Sequence, residues 1–221
     1  MSIAPLGFSF LFIALVLTLS YTFYRAKCFS AETIRKFIHI GVSNWWFILI
    51  AAFDNIWMAL LGPILFVIVN SLFVVTNLTL YFNISDKKRD LGLIYYPISL
   101  IILVFLSYSN IVSLYHCGIG WLALGYGDGL AAIIGKKYGK RKFGINKSAL
   151  GSTVMFMATL IAILGLSFGY KVVGLSSPFW YFKVLLLAFL ATLIEAYTPF
   201  ALDNLTVPLG VTLLSYLIMG G

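Results

Sequence analysis

Seven acidic residues are few enough in a chain of 221 residues to be considered one by one. Glu32, Asp128, Glu195 and Asp203 stand out because each lies inside an apolar stretch or close to the end of one. An ionisable side chain in the apolar part of a membrane costs about 2.5–3.5 kcal/mol on insertion scales, so it is a functional candidate by default. Carboxylates in such places can bind Mg²⁺ or take a proton from a hydroxyl group.

Asp128 is flanked by Gly127 and Gly129 and precedes a lysine-rich segment. Glycine allows a backbone to approach a ligand closely, and the carboxylate is suited to Mg²⁺, which favours oxygen ligands and substrate phosphates. The lysines that could then neutralise a polyphosphate are Lys136, Lys137, Lys140 and Lys147. The alternative interpretation is a glycine-packed helix interface followed by a positively charged loop.

The next apolar stretch begins with Ser148, and Gly151 and Ser152 follow in what would be its first turn. Serine is a preferred N-cap residue. The free amides at such a helix start favour an anion, so this segment is a candidate phosphate site.

A second polar group lies on one face of a predicted helix. Glu32, Arg35, Lys36 and His39 are spaced at i, i+3, i+4 and i+7. We interpret the face as a basic surface for phosphate, oriented by Glu32. The alternative is a helix that meets anionic lipid at the membrane surface.

A third polar group follows at Glu195, Asp203 and Asn204, on either side of a proline-marked turn. The two carboxylates could supply further metal ligands or a base for a hydroxyl. The alternative is capping, with Asp203 or Asn204 as the N-cap of the last helix.

The composition indicates the elements that must position these groups. The chain is 62% hydrophobic and 10% charged, whereas soluble domains carry about 25% charged residues. A disulfide scaffold, a disordered chain and an ordinary soluble enzyme are therefore excluded. We predict a single integral membrane domain over residues 1–221.

Apolar stretches near the length of a membrane span recur along the whole chain. They cover residues 4–24, 37–53, 56–82, 91–108, 111–135, 149–170, 179–197 and 205–220. The sequence therefore predicts an all-α polytopic bundle of about eight transmembrane helices. The second and eighth stretches are the weakest, so seven helices is the alternative.

Nearly all of the 15 Lys and Arg residues lie in alternate loops. The positive-inside rule places those loops, and with them the three polar groups, on the cytoplasmic side. Both termini are then extracytoplasmic. With this distribution we read the net charge of +8 as a topology signal and not as a nucleic-acid surface.

The run GDGLAAIIGKKYGKRKFGINKSALGS, from Gly127 to Ser152, is similar to the central motif of the CTP-dependent lipid-alcohol kinases. This family comprises phytol kinases, dolichol kinases and CTP-dependent diacylglycerol kinases. The Glu32 to His39 segment resembles the family's first polar helix, and Glu195 with Asp203-Asn204-Leu205-Thr206-Val207-Pro208 resembles its closing motif. Many members have an acidic residue where this chain has Leu150. The compact length and the Gly-Asp-Gly form are most similar to the phytol kinase branch.

The resemblance implies transfer of the γ-phosphoryl group of CTP to the hydroxyl of a lipid alcohol, with Mg²⁺. It assigns Asp128 to the metal with Glu195 or Asp203 assisting, and Arg35 and Lys36 to the transferring phosphoryl group. Asp203 or His39 would position or deprotonate the alcohol. The implied nucleotide-binding residues are Gly127, Gly129, Lys136, Lys137, Lys140, Lys147, Ser148, Gly151, Ser152 and Asn204.

Three other functions stay open at this point. An isoprenoid alcohol is the expected acceptor, and a CTP-dependent diacylglycerol kinase is the nearest alternative. A lipid-phosphate cytidylyltransferase would use the same nucleotide. A proton-coupled transporter would use Asp128 and Glu195 as a relay, although the polar groups cluster at one face.

Overall fold

The computed structural model describes residues 3–76, 90–145, 147–172 and 177–220, and these residues are almost entirely helical. The elements are α1 (Ala4–Arg25), α2 (Ala31–Ser43), α3 (Trp45–Ala52), α4 (Ile56–Val75), α5 (Leu91–Tyr108), α6 (Leu114–Leu122), a π-helical turn (Ala123–Asp128), α7 (Gly129–Tyr138), β1 (Lys142–Phe143), β2 (Lys147–Ser148), α8 (Ala149–Gly169), α9 (Pro178–Tyr197), a 3₁₀ turn (Phe200–Leu202) and α10 (Asp203–Met219). The predicted all-α membrane bundle is confirmed. The β structure in the described ranges is one hairpin whose two strands have two residues each.

Six helices in the described part of the chain are long and apolar enough to cross a membrane. They are α1, α4, α5, α8, α9 and the continuous helix Leu114–Tyr138, which is formed by α6, the π-helical turn and α7. The two weakest predicted spans are the two that fall outside this set. The second is divided into α2 and α3, and the eighth is α10, an apolar helix of 17 residues. The count of eight spans stays a prediction.

The Leu114–Tyr138 helix is the centre of the bundle. Of its apolar window, 72% is buried inside the protein, against 17–44% for the other five long helices. Helices α2, α8 and α10 pack around it. A helix that is apolar on all sides and enclosed by others is well suited to hold a charged side chain away from lipid.

The junction between α2 and α3 is attached to this central helix by polar contacts. Asn44 lies at the break, and its amide nitrogen donates to the carbonyl of Ile40. Its side-chain oxygen accepts a 2.5 Å hydrogen bond from the Tyr126 hydroxyl. Trp121 donates from its indole nitrogen to the carbonyl of Ser43 over 3.0 Å. These bonds fix the position of α2 relative to the π-helical turn.

The hairpin β1–β2 links α7 to α8 and docks on the end of α9. Lys142 pairs with Ser148 and Phe143 with Lys147. Gly144 has φ +63°, and a Cβ atom there would lie 2.2 Å from the carbonyl oxygen of Ala196, so the close approach requires glycine. The amide of Ile145 donates to the same carbonyl over 2.7 Å. The hairpin thereby brings Lys147 next to the end of α9.

The predicted basic loop that contains Lys87, Lys88 and Arg89 lies outside the described residues.

Candidate active site

Asp128 ends the π-helical turn of the central helix, and only 1% of its side chain is exposed. A π turn inserts one extra residue into a helix, and such turns are frequent at functional sites. The flanking glycines let other helices pack closely. A Cβ atom at Gly127 would lie 2.5 Å from Sδ of Met155, and one at Gly129 would lie 2.4 Å from Cγ1 of Ile40. Helix packing thus accounts for both glycines, and their contact with a nucleotide stays a prediction.

One oxygen of Asp128 faces the basic side of α2. The ammonium of Lys36 donates to Oδ2 of Asp128 in a close ion pair. Nε2 of His39 lies 3.9 Å from the same oxygen. The i, i+3 spacing of these two residues places both on the face of α2 that meets the central helix, as the helical pattern predicts. The helix itself is confirmed, with Ser30 as an N-cap that accepts from the amide of Thr33.

The other oxygen of Asp128 faces Lys147, which is the most highly connected charge in the site. Nζ of Lys147 lies 3.7 Å from Oδ1 of Asp128, 2.5 Å from Oε1 of Glu195 and 3.2 Å from Oδ2 of Asp203. One ammonium therefore joins three carboxylates from the central helix, α9 and α10. All three polar groups identified in the sequence contribute side chains to this one cluster.

Lys147 lies in the hairpin, outside the spanning helices. Burial opposes its positive charge, but the nearby carboxylates of Asp128, Asp203 and Glu195 outweigh that effect and raise the pKa of Lys147 above its usual range. The lysine is therefore a fixed positive charge in the folded protein at physiological pH.

Asp203 and Asn204 open α10 without capping it. The N-cap residue is Leu202, and it makes no side-chain cap bond. The interpretation of Asp203 or Asn204 as an N-cap is therefore wrong. The amide nitrogen of Asn204 instead donates to Oδ1 of Asp203 over 3.1 Å and to the carbonyl of Ala201 over 3.0 Å. Asn204 orients the Asp203 carboxylate.

Two side-chain atoms in the site are buried and have no hydrogen-bond partner among the described residues. They are Nε2 of His39 and Oε2 of Glu195. Buried polar atoms are nearly always paired. These two atoms are therefore candidates for contact with a bound ligand.

The start of α8 forms as predicted. Ser148 is the N-cap, and its hydroxyl accepts from the amide of Gly151 over 3.1 Å. The same hydroxyl lies 3.3 Å from the carbonyl of Gly135, which attaches α8 to α7. Ser152 is buried, and its hydroxyl has no partner within the described ranges.

Several predicted site residues lie at the edge of this cluster and not inside it. Lys136 pairs with Glu32 in an exposed contact between α7 and α2, and orientation of the basic face of α2 by Glu32 stays a prediction. Lys137 and Lys140 are exposed, and Arg35 is half-buried. Any contact of these residues with phosphate stays a prediction.

The donor set fits Mg²⁺ in combination with a phosphate ligand. No three His, Cys, Asp or Glu side chains in the described ranges are placed to hold a metal ion together. Mg²⁺, however, is usually bound by one or two carboxylates together with substrate phosphates and water. Oε2 of Glu195, which is buried and has no hydrogen-bond partner among the described residues, is the oxygen best placed for that purpose.

One residue next to the site, Tyr96, was not identified from the sequence. The Tyr96 ring packs against the His39 ring with centroids 4.1 Å apart, and the Tyr96 hydroxyl donates to the His39 carbonyl over 3.0 Å. The residue stands in an apolar stretch as one of two consecutive tyrosines. Its sequence context resembles an ordinary interfacial aromatic residue, so no local signal separates it from one.

Comparison with known proteins gives relatives of one kind. The chain is 28% identical over 214 residues to a phytol kinase of Synechocystis, covering 89% of this chain and 85% of the relative. It is 34% identical over 148 residues to a probable chloroplastic phytol kinase 1 of Oryza sativa, which covers 62% of this chain and 45% of that protein. A chloroplastic phytol kinase 1 of Arabidopsis thaliana is 29% identical over 69% of this chain and 53% of its own length. The chain thus spans most of the cyanobacterial relative and about half of each plant relative.

No family model and no solved structure matches the chain. The cyanobacterial relative, the plant relatives and the three ordered motifs nevertheless all indicate phytol kinases. The chain is thus similar to phytol kinases, as the resemblance of its three motifs implies.

Proposed function

We propose that this protein is a membrane kinase that transfers the γ-phosphoryl group of CTP to the hydroxyl of an isoprenoid alcohol. The observation that carries the proposal is the cluster around Asp128. Two lysines and a histidine from two elements, α2 and the hairpin, surround one buried carboxylate, and two more carboxylates share Lys147. The relatives named phytol kinases support the alcohol as acceptor.

Phosphoryl transfer requires mainly positioning and charge stabilisation. The alcohol oxygen forms a bond to the γ-phosphorus while the bond from that phosphorus to the β–γ bridging oxygen breaks. The hydroxyl proton passes to a base, and CDP leaves. Lys36 and Lys147 are the cations close enough to the centre of the site to offset charge that develops on the transferring group.

The acceptor hydroxyl needs a polar partner where the apolar and charged regions of the site meet. His39 is suited to this because its Nε2 is buried, unpaired within the described residues and 3.9 Å from Asp128. We propose that His39 binds the hydroxyl of the alcohol and accepts its proton, and that Asp203 is the second candidate proton acceptor. When bound, Mg²⁺ would neutralise the phosphates, with Asp128 and Glu195 as its protein ligands.

The nucleotide is proposed to arrive from the cytoplasmic side. Exposed lysines at 136, 137 and 140 lie in or just beyond the last turn of the central helix. Positively charged residues at the mouth of a site raise the local concentration of an anionic substrate. The start of α8 is the proposed cradle for the triphosphate.

A panel of nucleotides crossed with lipid alcohols tests the proposal. Purified protein with CTP, Mg²⁺ and an isoprenoid alcohol is expected to give the alcohol monophosphate and CDP. Asp128→Asn is expected to lower kcat/KM at least 100-fold, because it removes the charge shared by Lys36, His39 and Lys147. Asp54→Asn, in the exposed loop between α3 and α4, is the matched control and is expected to retain activity.

The products distinguish the remaining alternatives. Release of pyrophosphate with a CDP-linked lipid would indicate a cytidylyltransferase. Phosphorylation of diacylglycerol in preference to isoprenoid alcohols would identify that lipid as the acceptor. Full activity of Asp128→Asn, or substrate flux across vesicles without nucleotide, would overturn the proposal.

A further inference from the structure

An apolar groove lies between α1, α3, α4 and α5. The residues that line it on α1 are Leu6, Ser9, Phe10 and Ile13. Facing them are Gly62, Pro63 and Phe66 of α4, Trp45 of α3 and Phe53 beyond it.

The polar groups that line the groove are already paired within the protein. The Trp45 indole nitrogen donates to the Ser9 hydroxyl over 2.9 Å, and the Tyr96 hydroxyl donates to the His39 carbonyl over 3.0 Å. With these bonds satisfied, the walls offer a ligand an apolar surface. The groove is therefore suited to a hydrocarbon and unsuited to a nucleotide or a headgroup.

One end of the groove reaches the candidate active site. Tyr96 lines the groove and packs against the His39 ring, whose Nε2 lies 3.9 Å from Asp128. Val42 also lines the groove and lies three residues after His39 on the same helix. A chain that leaves the site past Tyr96 enters the groove directly.

The other end lies toward the start of α1. From Ile13 to Leu6 the groove follows seven residues of that helix, which is about 10 Å at 1.5 Å per residue. Leu6 is the lining residue of α1 nearest to this end. The groove is thus elongated, with the reactive groups at one end only.

We infer that this groove holds the isoprenoid tail of the acceptor alcohol, with the hydroxyl at His39 and the tail directed toward Leu6. The inference rests on the proposed kinase function and adds the position of the tail. The groove then limits acceptor choice by the length of a single tail.

Gly62 provides the test, because a Cβ atom added there meets nothing within 4 Å and the residue lines the groove. Gly62→Leu adds a side chain to the groove, and leucine favours the helix more than glycine does. Gly165→Leu in α8 is the matched control, since its Cβ also meets nothing within 4 Å and it does not line the groove. Gly62→Ala is a milder second variant.

The measurement is kcat/KM for geraniol, farnesol and geranylgeraniol, with ten, fifteen and twenty carbons. Gly62→Leu is expected to lower the ratio of the longest to the shortest acceptor by about tenfold or more, since pocket shape commonly discriminates by that amount. Gly62→Ala should have a smaller effect in the same direction, and Gly165→Leu should keep the wild-type ratio. An unchanged length profile in Gly62→Leu would overturn the inference.

A binding experiment separates failure of the groove from failure of the kinase proposal. A twenty-carbon isoprenoid alcohol with a diazirine at the tail end is photolysed with the protein without nucleotide, and labelled residues are mapped by mass spectrometry. Label is expected on the 6–13 and 62–66 segments, with at least a fivefold loss in Gly62→Leu. Labelling of other segments would overturn the inference that the groove holds the tail. Labelling that added phospholipid reduces as readily as unlabelled alcohol does would overturn it as well. If no alcohol is phosphorylated but this label appears, the kinase proposal alone fails.

Discussion

Lys147 is the residue on which the charge balance of the site depends. Its ammonium lies 3.7 Å from Asp128, 2.5 Å from Glu195 and 3.2 Å from Asp203. Three carboxylates close together repel one another unless a cation lies between them. The lysine therefore holds together the central helix, the end of α9 and the start of α10, and a bound divalent cation would contribute to the same charge balance.

Replacing Lys147 with methionine keeps the apolar stem and removes the charge. We expect destabilisation of about 3–5 kcal/mol, because removing one partner leaves buried carboxylates uncompensated. Thermal unfolding in detergent, followed by tryptophan fluorescence, should show a lower Tm. Lys147→Arg should lower the Tm less, because it keeps the charge. Lys140→Met, at an exposed position, should have the Tm of the wild type. Equal Tm values for Lys147→Met and the wild type would contradict the structure.

The raised pKa of Lys147 also predicts a pH dependence. A lysine whose pKa is higher in the folded than in the unfolded protein contributes stability that is fully present below the unfolded value of about 10.4. That contribution is lost only as the pH rises through the folded value. The difference in Tm between the wild type and Lys147→Met should therefore stay constant from pH 7 to about pH 10 and narrow above it. Loss of the difference between pH 8 and pH 9 would show that the lysine is neutral in the folded protein.

At the scale of the helices, the sequence predicts α2 and its contacts well. The spacing of Lys36 and His39 places both on one face, and both reach Asp128. A local period of 3.6 residues is sufficient for that prediction. The break at Asn44 carries no comparable signal, because it depends on hydrogen bonds to a helix about 80 residues later in the chain.

The position of Lys147 could not be predicted by the same reasoning. It depends on a two-residue hairpin and on one backbone hydrogen bond from Ile145 to Ala196, neither of which has a side-chain signature. The π-helical turn that ends at Asp128 likewise has no signature in the sequence. The chemical types of the site residues could thus be predicted from the sequence. Which of these residues contact one another could be seen only in the folded structure.

Close helix packing gives a prediction for the glycines of the central helix. A Cβ atom at Gly120 would lie 2.2 Å from the carbonyl oxygen of Pro208 and 2.1 Å from the Thr212 hydroxyl. Backbone atoms cannot rotate away, so Gly120→Ala must separate α6 from α10. We expect a loss of about 1–3 kcal/mol, seen as a lower Tm. Gly165→Ala meets no atom within 4 Å and should keep or raise Tm; equal behaviour of the two variants would argue against this packing.

At the scale of the whole molecule, the site lies at one end of the bundle. The start of α5 is close to it, because a Cβ atom at Gly92 would lie 3.0 Å from the Asn204 side chain. The helix then runs 18 residues to Tyr108, about 27 Å at 1.5 Å per residue. The loop at Ser109 therefore lies about one hydrocarbon thickness away from the site.

This separation allows the side of the membrane to be tested with cysteines. Cys28 is exposed and lies three residues before α2, which carries Lys36, whereas Cys117 is buried. In intact cells an impermeant maleimide should leave Cys28 unlabelled until the membrane is opened. In a Cys28→Ser background, Ser109→Cys should be labelled from outside at once, since Ser109 is exposed.

The result decides whether the cluster can meet a cytoplasmic nucleotide. The alternation of basic loops predicts Cys28 inside and Ser109 outside, because positively charged loops are retained in the cytoplasm. The reverse pattern would put Asp128 and Lys147 on the extracytoplasmic side, and the proposed donor would then have no access to them. Labelling of both positions from the same side would mean that an even number of segments crosses the membrane between them, which would contradict the eight-span prediction.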